Sequence, residues 1–113
     1  MKAYSLGKVS VATPGTPVAL TSNSSLMVSR VRVEAVIGET GRVFLGVQGM
    51  NKTTLAGVIK QFWPTGATGP SPAIPADSWE INEEGGDNTI QLSQIHLDAN
   101  TAGEGAIVEY WIS

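Results

Sequence analysis

The sequence predicts an all-β fold, a single compact β-sandwich of jelly-roll-like character or a small barrel, built from about eight short strands. Three observations predict it. Apolar and polar residues alternate with a period of two in long runs such as Arg30 to Ala35 and Ala106 to Ile112. Clusters of Gly, Pro, Asn, Asp and Ser separate those runs at short intervals. The glycines are also too evenly spread for helices, since each costs about 1 kcal/mol relative to Ala inside one.

The elements follow in order. Val9-Ser10-Val11 alternates and meets the turn pair Pro14-Gly15, and Val18-Ala19-Leu20 precedes the polar cluster Thr21 to Ser25. From Met27 a long half-buried strand is expected, with Met27, Val31, Val33, Ala35 and Ile37 on one face and Arg30, Arg32 and Glu34 on the other. Gly38-Glu39-Thr40-Gly41 reads as the loop of a β-hairpin, whose return strand carries Val43, Leu45 and Val47. Gly46 and Gly49 fit a bulge or a closely approaching backbone. Leu55 to Trp63 has helical length, but Gly57, the β-branched Val58 and Ile59, and the stop at Pro64 favour a strand. The stretch from Pro64 to Pro75 holds four prolines, cannot pair inside a sheet and is expected to run as a surface loop. Trp79-Glu80-Ile81, Ile90-Gln91-Leu92, Ile95-His96-Leu97 and Ala106 to Ile112 complete the strands, with a turn at Glu83 to Asn88. No repeat and no second-domain boundary emerges. One domain, 1–113, is expected, with a flexible N-terminal arm over 1–8 and the Pro-rich loop over 64–77.

Composition narrows the chemistry. Charged residues make up 15% of the chain against a usual quarter or so, so Ser, Thr, Gly, Asn and Gln must supply much of the surface. Such a surface suits contact with protein. The net charge of −3 and the scattering of the seven basic residues argue against nucleic acid. The absence of Cys excludes disulfides and thiolate metal sites. No apolar run reaches membrane-spanning length, and Met1 to Ser5 lack the apolar core of a signal peptide, so synthesis in a cytoplasm is expected.

Catalytic readings are weak. His96 lies near Ser93 and Asp98, but on one strand 93 and 96 point to opposite faces while 96 and 98 share one, and no nucleophile elbow is present. The oxygen-rich groups Glu83, Glu84, Asp87, Asn88 and Asp98, Asn100, Glu104 lack the regular spacing of a calcium loop and read as turn chemistry. The expected protein is not an enzyme and needs no metal or cofactor. Trp63 and Trp79 flank the Pro-rich loop and either pin its ends or anchor a partner. The candidate interface residues are therefore Trp63, Pro64, Pro70, Pro72, Ile74 and Trp79, with Tyr4 on the N-terminal arm.

Two stretches, "VEAVIGETGRVFLGVQGM" (Val33 to Met50) and "NTIQLSQIHLDANTAGEGAIVEYW" (Asn88 to Trp111), resemble small virion proteins of tailed bacteriophages. The resemblance lies in the Gly-x-Thr-Gly turn, the later Ile-x-Leu and Leu-Asp-Ala, then Gly-Glu-Gly and a terminal Tyr-Trp. It implies a head decoration or cement protein, a β-domain bound to the capsid exterior, often as a homotrimer, that clamps neighbouring subunits of the major capsid protein. The virion is then the expected location. Such proteins carry no catalytic residues. Two other readings stay open: a neck, tail or fibre-attachment protein, and a carbohydrate-binding β-sandwich using Trp63 or Trp79 as a sugar platform.

Overall fold

The computed structural model describes residues 2–36, 39–63, 78–83 and 85–113. Ten strands occur there: β1 (Lys2–Ser10), β2 (Val18–Ala19), β3 (Met27–Val28), β4 (Arg30–Ala35), β5 (Val43–Val47), β6 (Val58–Phe62), β7 (Ser78–Asn82), β8 (Ile90–Gln91), β9 (Ile95–Ala99) and β10 (Gly105–Ile112). Sheet I has the order β1-β10-β4-β7 and sheet II the order β2-β9-β5-β6, while β3 and β8 form a small separate pair. All pairs are antiparallel. Leaving β3 and β8 aside, this is the interleaved order of a jelly roll, in which two four-stranded sheets are wound from Greek keys. The all-β sandwich read from the sequence is the fold.

The inner faces explain why the sheets meet. In β4 the side chains alternate between half-buried Arg30, Arg32, Glu34 and buried Val31, Val33, Ala35. Ala106 and Val108 of β10 extend that buried face, and Val43, Leu45, Phe62, Leu97 and Ala99 of sheet II close over it in one continuous core. Each fully buried Val, Leu or Phe contributes about 1.5–3 kcal/mol. The β-branched residues of β4 and β10 also suit a pleated backbone intrinsically.

Three sequence expectations need correction. The hairpin expected at Gly38 to Gly41 does not form between β4 and β5: β4 pairs with β10 and β7, β5 pairs with β6 and β9, and so the chain passes from sheet I to sheet II between these two strands. The long strand from Met27 breaks at Ser29, whose N–H donates to the Trp111 carbonyl at 2.9 Å. The break shifts the alternation, so Val28 is buried and Met27 is exposed. The flexible arm expected over 1–8 is, from Lys2 onward, part of strand β1, which pairs with β10. Ile37, Gly38 and the whole Pro-rich loop 64–77, with Pro64, Pro70, Pro72 and Ile74, lie outside the described residues.

Three of the four edge strands of sheets I and II are blunted within the chain. β1 carries a bulge between Ser5 and Gly7, β6 has a register shift opposite Leu45 and Gly46 that makes Ile59 the extra residue, and β2 is only two residues long. Bulges and short strands discourage edge-to-edge pairing.

Two carboxylates lock the crossing segments to each other. Glu104 accepts hydrogen bonds from the N–H groups of Thr40 and Gly41, both at 2.8 Å. In return, buried Glu39 accepts from the Gly105 N–H at 3.1 and 3.2 Å and lies 3.6 Å from Lys8 Nζ. Burial pushes Glu39 above the ordinary carboxylate range, against the pull of Gly105 and Lys8, and Glu104 adds to the rise. Burial pushes Glu104 up as well, but the Thr40 and Gly41 bonds outweigh it and hold Glu104 below that range. The signs therefore oppose. Glu104 contributes stability above its unfolded pKa that is lost as pH falls through its folded value. Glu39 favours folding below its unfolded pKa, and that contribution is lost as pH rises through its folded value. Glu104→Gln should lower stability at pH 7 by about 1.5 kcal/mol, the scale of a hydrogen bond to a charged group. The deficit should shrink on acidification, whereas Glu39→Gln should be at least as stable as the parent at pH 7. Denaturant titrations at neutral and acid pH measure both, and a Glu104→Gln protein as stable as the parent at pH 7 contradicts the lock.

Candidate functional site

Strand parity assembles the polar outer face of sheet II. With Val43 and Leu45 turned into the core, Phe44 and Gly46 of β5, and Arg42 just before it, must face outward. Phe44 is paired with Asp98 on one side and Gln61 on the other. One step along, the Asn100 N–H donates to the Arg42 carbonyl at 3.0 Å, and the register from Val43–Phe62 sets Trp63 beside Arg42. Gly46 pairs with His96 in the opposite direction. Residues from distant parts of the chain thus share one surface: Arg42, Phe44, Gln61, Trp63, His96, Asp98 and Asn100.

Trp63 is the most exposed large apolar side chain described, at 60%. It is nonetheless held. The Arg42 guanidinium carbon lies 4.3 Å from the Trp63 ring centroid and 5.7 Å from that of Phe44, and Arg42 Nη1 donates to Gln61 Oε1 at 2.9 Å. A cation held against two π faces is attracted to both. Phe44 is buried beneath this stack although it points away from the main core.

A cleft of about 190 Å³ lies on the same face, lined by Gly15, Met50, Asn51, Lys52, Thr53 and Asp98. The β5–β6 connection forms one wall. Met50 packs over Gly46, where a Cβ would overlap the Gly57 carbonyl oxygen and stand 3.0 Å from Met50 Sδ. The connection is stiffened from within: Asn51 Oδ1 accepts from the N–H groups of Thr53 and Thr54, at 2.9 and 3.1 Å. Its one strained residue is Leu55, held at φ 64° with an exposed side chain. Asp98, 1% exposed, belongs to the lining and ties down the loop on the other side, where its Oδ1 accepts from the Gly15 N–H at 2.9 Å and the Ala99 N–H at 2.8 Å.

The remaining expected residues fall elsewhere. Trp79 lies on β7 opposite Val33 and packs against the core of sheet I, so it shares no surface row with Trp63. Tyr4 lies on β1, 42% exposed, and stacks on Tyr110 with ring centroids 5.2 Å apart. His96 Nδ1 lies 3.2 Å from the Gln94 carbonyl and makes no hydrogen bond with Ser93 among the described residues. The turn carboxylates serve their own neighbourhoods: Glu83 accepts from Thr89 Oγ1 at 2.6 Å, and Asn88 pairs with the backbone of Ser113. Among the described residues no three His, Asp or Glu side chains gather as metal ligands.

Sequence reasoning missed Arg42, Phe44, Gln61 and the cleft. The signal was present in the parity: an inward Val43 and Phe62 oblige Arg42, Gln61 and Trp63 to face outward. Compared with known proteins, the chain matches no family model, no curated protein and no solved structure.

The site depends on the close approach at Gly46. Gly46→Ala should displace the β5–β6 connection at a cost of about 1–3 kcal/mol, as expected for overpacking. Thermal melting measures the cost, and chemical-shift changes concentrated at residues 48–57 locate it. An unperturbed connection would contradict the packing described.

Proposed function

We propose that this chain is a structural virion protein of the decoration or cement type, which binds the outer surface of a phage head and stabilises it through the outer face of sheet II. The observation that carries the reading is Trp63, exposed yet fixed in place by Arg42 over Phe44. Trp and Arg dominate the energetics of protein interfaces, and a side chain ordered before contact loses less entropy on docking. The resemblance of Val33 to Met50 and Asn88 to Trp111 to phage virion proteins supports the same reading, as does the low charge of the chain. The partner in this reading is the major capsid protein, and the chain acts as a homotrimer without catalysis. With the β1, β2 and β6 edges blunted, the trimer in this reading is held by side chains rather than by pairing of those edges. A neck, tail or fibre-attachment role uses the same surface at a different place on the particle.

A second reading, a carbohydrate-binding module, is favoured by the same exposed indole, whose free face suits the C–H face of a sugar ring. Trp79, half-buried against the core, offers less ring surface for that role.

Three outcomes are expected. Protein stripped from purified heads and added back should restore capsid thermal stability, with Trp63→Ala rebinding at least tenfold more weakly, the range of an interface hot spot. Normal rebinding of a folded Trp63→Ala protein removes this face from the contact, and failure of the parent to decorate heads removes the cement reading. Light scattering at high protein concentration should give the mass of a trimer, and a monomer at that concentration argues against constitutive assembly. On a glycan array no reproducible binding is expected, whereas binding lost in Trp63→Ala favours the carbohydrate module.

A further inference from the structure

Asp98 does more than hold a loop. Its Oδ1 is fully employed by the Gly15 and Ala99 N–H groups, whereas Oδ2 accepts no hydrogen bond among the described residues. The side chain is nonetheless 1% exposed and borders the cleft of about 190 Å³. A buried carboxylate oxygen without a donor is costly and calls for an explanation. The chain's own cation does not supply one. Lys52, on the cleft wall, directs Nζ to Asn100 Oδ1 at 2.9 Å and forms no ion pair with Asp98. Of the other polar groups on the wall, Asn51 Oδ1 is engaged by the N–H groups of Thr53 and Thr54.

The cleft therefore has the buried Asp98 carboxylate in its lining, an apolar flank in Met50, and room for a side chain several atoms long. We propose that it receives a cationic side chain, lysine or arginine, of the partner protein, with the ammonium or guanidinium donating to Asp98 Oδ2. This rests on the reading of the chain as a protein-binding module and names what the partner must present. Charge complementarity favours a cation, since the chain carries a net charge of −3 and Asp98 forms no ion pair among the described residues. Guanidinium suits the site best, because its planar fork donates two parallel hydrogen bonds. Such a pair, formed away from water, would respond little to salt. Lys52 opposes the guest by charge, which gives the proposal a second, independent sign.

The test needs no capsid. Propylguanidinium is titrated into the isotope-labelled full chain while the amide signals of Gly15 and Ala99, both bonded to Asp98, are followed. Saturable shifts are expected, with propylurea, the neutral shape analogue, at least about tenfold weaker. Asp98→Asn retains an oxygen for the Gly15 and Ala99 N–H groups but places a donor where the acceptor stood, so it should bind the probe at least about tenfold more weakly. Lys52→Ala should bind it more tightly. If Asp98→Asn does not fold, the propylurea comparison and Lys52→Ala still decide. Non-saturating shifts, equal response to propylurea, or weaker binding by Lys52→Ala would overturn the proposal. Cation binding in a protein that never decorates heads would leave this site standing and remove the cement reading instead.

Discussion

The apolar seam between the sheets is the constraint on which the rest depends. Val31, Val33 and Val108 on one side meet Leu45, Leu97 and Phe62 on the other, and all six are almost fully buried. In a strand the side chains alternate, so placing these six inward decides where every neighbour must point. A slip of one residue would exchange the faces of a whole strand. The outer face of sheet II is thus a by-product of the core: Arg42, Phe44, Gln61, Trp63 and Asp98 face outward because the residues between them are needed inside. The locks at Glu39 and Glu104 then hold the crossing segments in the one arrangement compatible with that seam.

What was legible in the sequence was whatever depends on periodicity. The alternation of Arg30 to Ala35 and of Ala106 to Ile112, the turn residues and the absence of a helical run led to an all-β sandwich with nearly every strand in place. Partnership was not legible. Val43 to Val47 follows Arg30 to Ala35 after a short glycine-bearing segment, and local chemistry alone makes that a hairpin. The sheets are instead assembled from segments far apart in the chain, as with Lys2–Ser10 beside Gly105–Ile112. Such pairings leave no local trace. They also require long loops to close before they are rewarded, which makes folds of this kind slow to form.

The candidate site shows the same division. Trp63 and Trp79 were indistinguishable in the sequence because both border the Pro-rich segment. Their roles separate only through pairing: Trp79 stands opposite Val33 and turns inward, whereas Trp63 stands beside Arg42 and turns outward. Asp98 attracted notice as a partner for His96 and as an oxygen ligand in a turn. Neither idea could reveal its contact with Gly15, a residue 83 positions away.

The pairing of Lys2 with Ile112 has a mechanical meaning. These residues lie at the same end of one antiparallel ladder, whose hydrogen bonds run perpendicular to the strands. A tension applied across Lys2 and Ile112 therefore loads the bonds singly, in succession, and peels β1 away like a zip. A tension between Lys2 and the far end of β10, near Gly105, must instead shear many bonds together. The molecule is mechanically anisotropic: it yields readily along one axis and resists along another, with the same set of bonds in both cases.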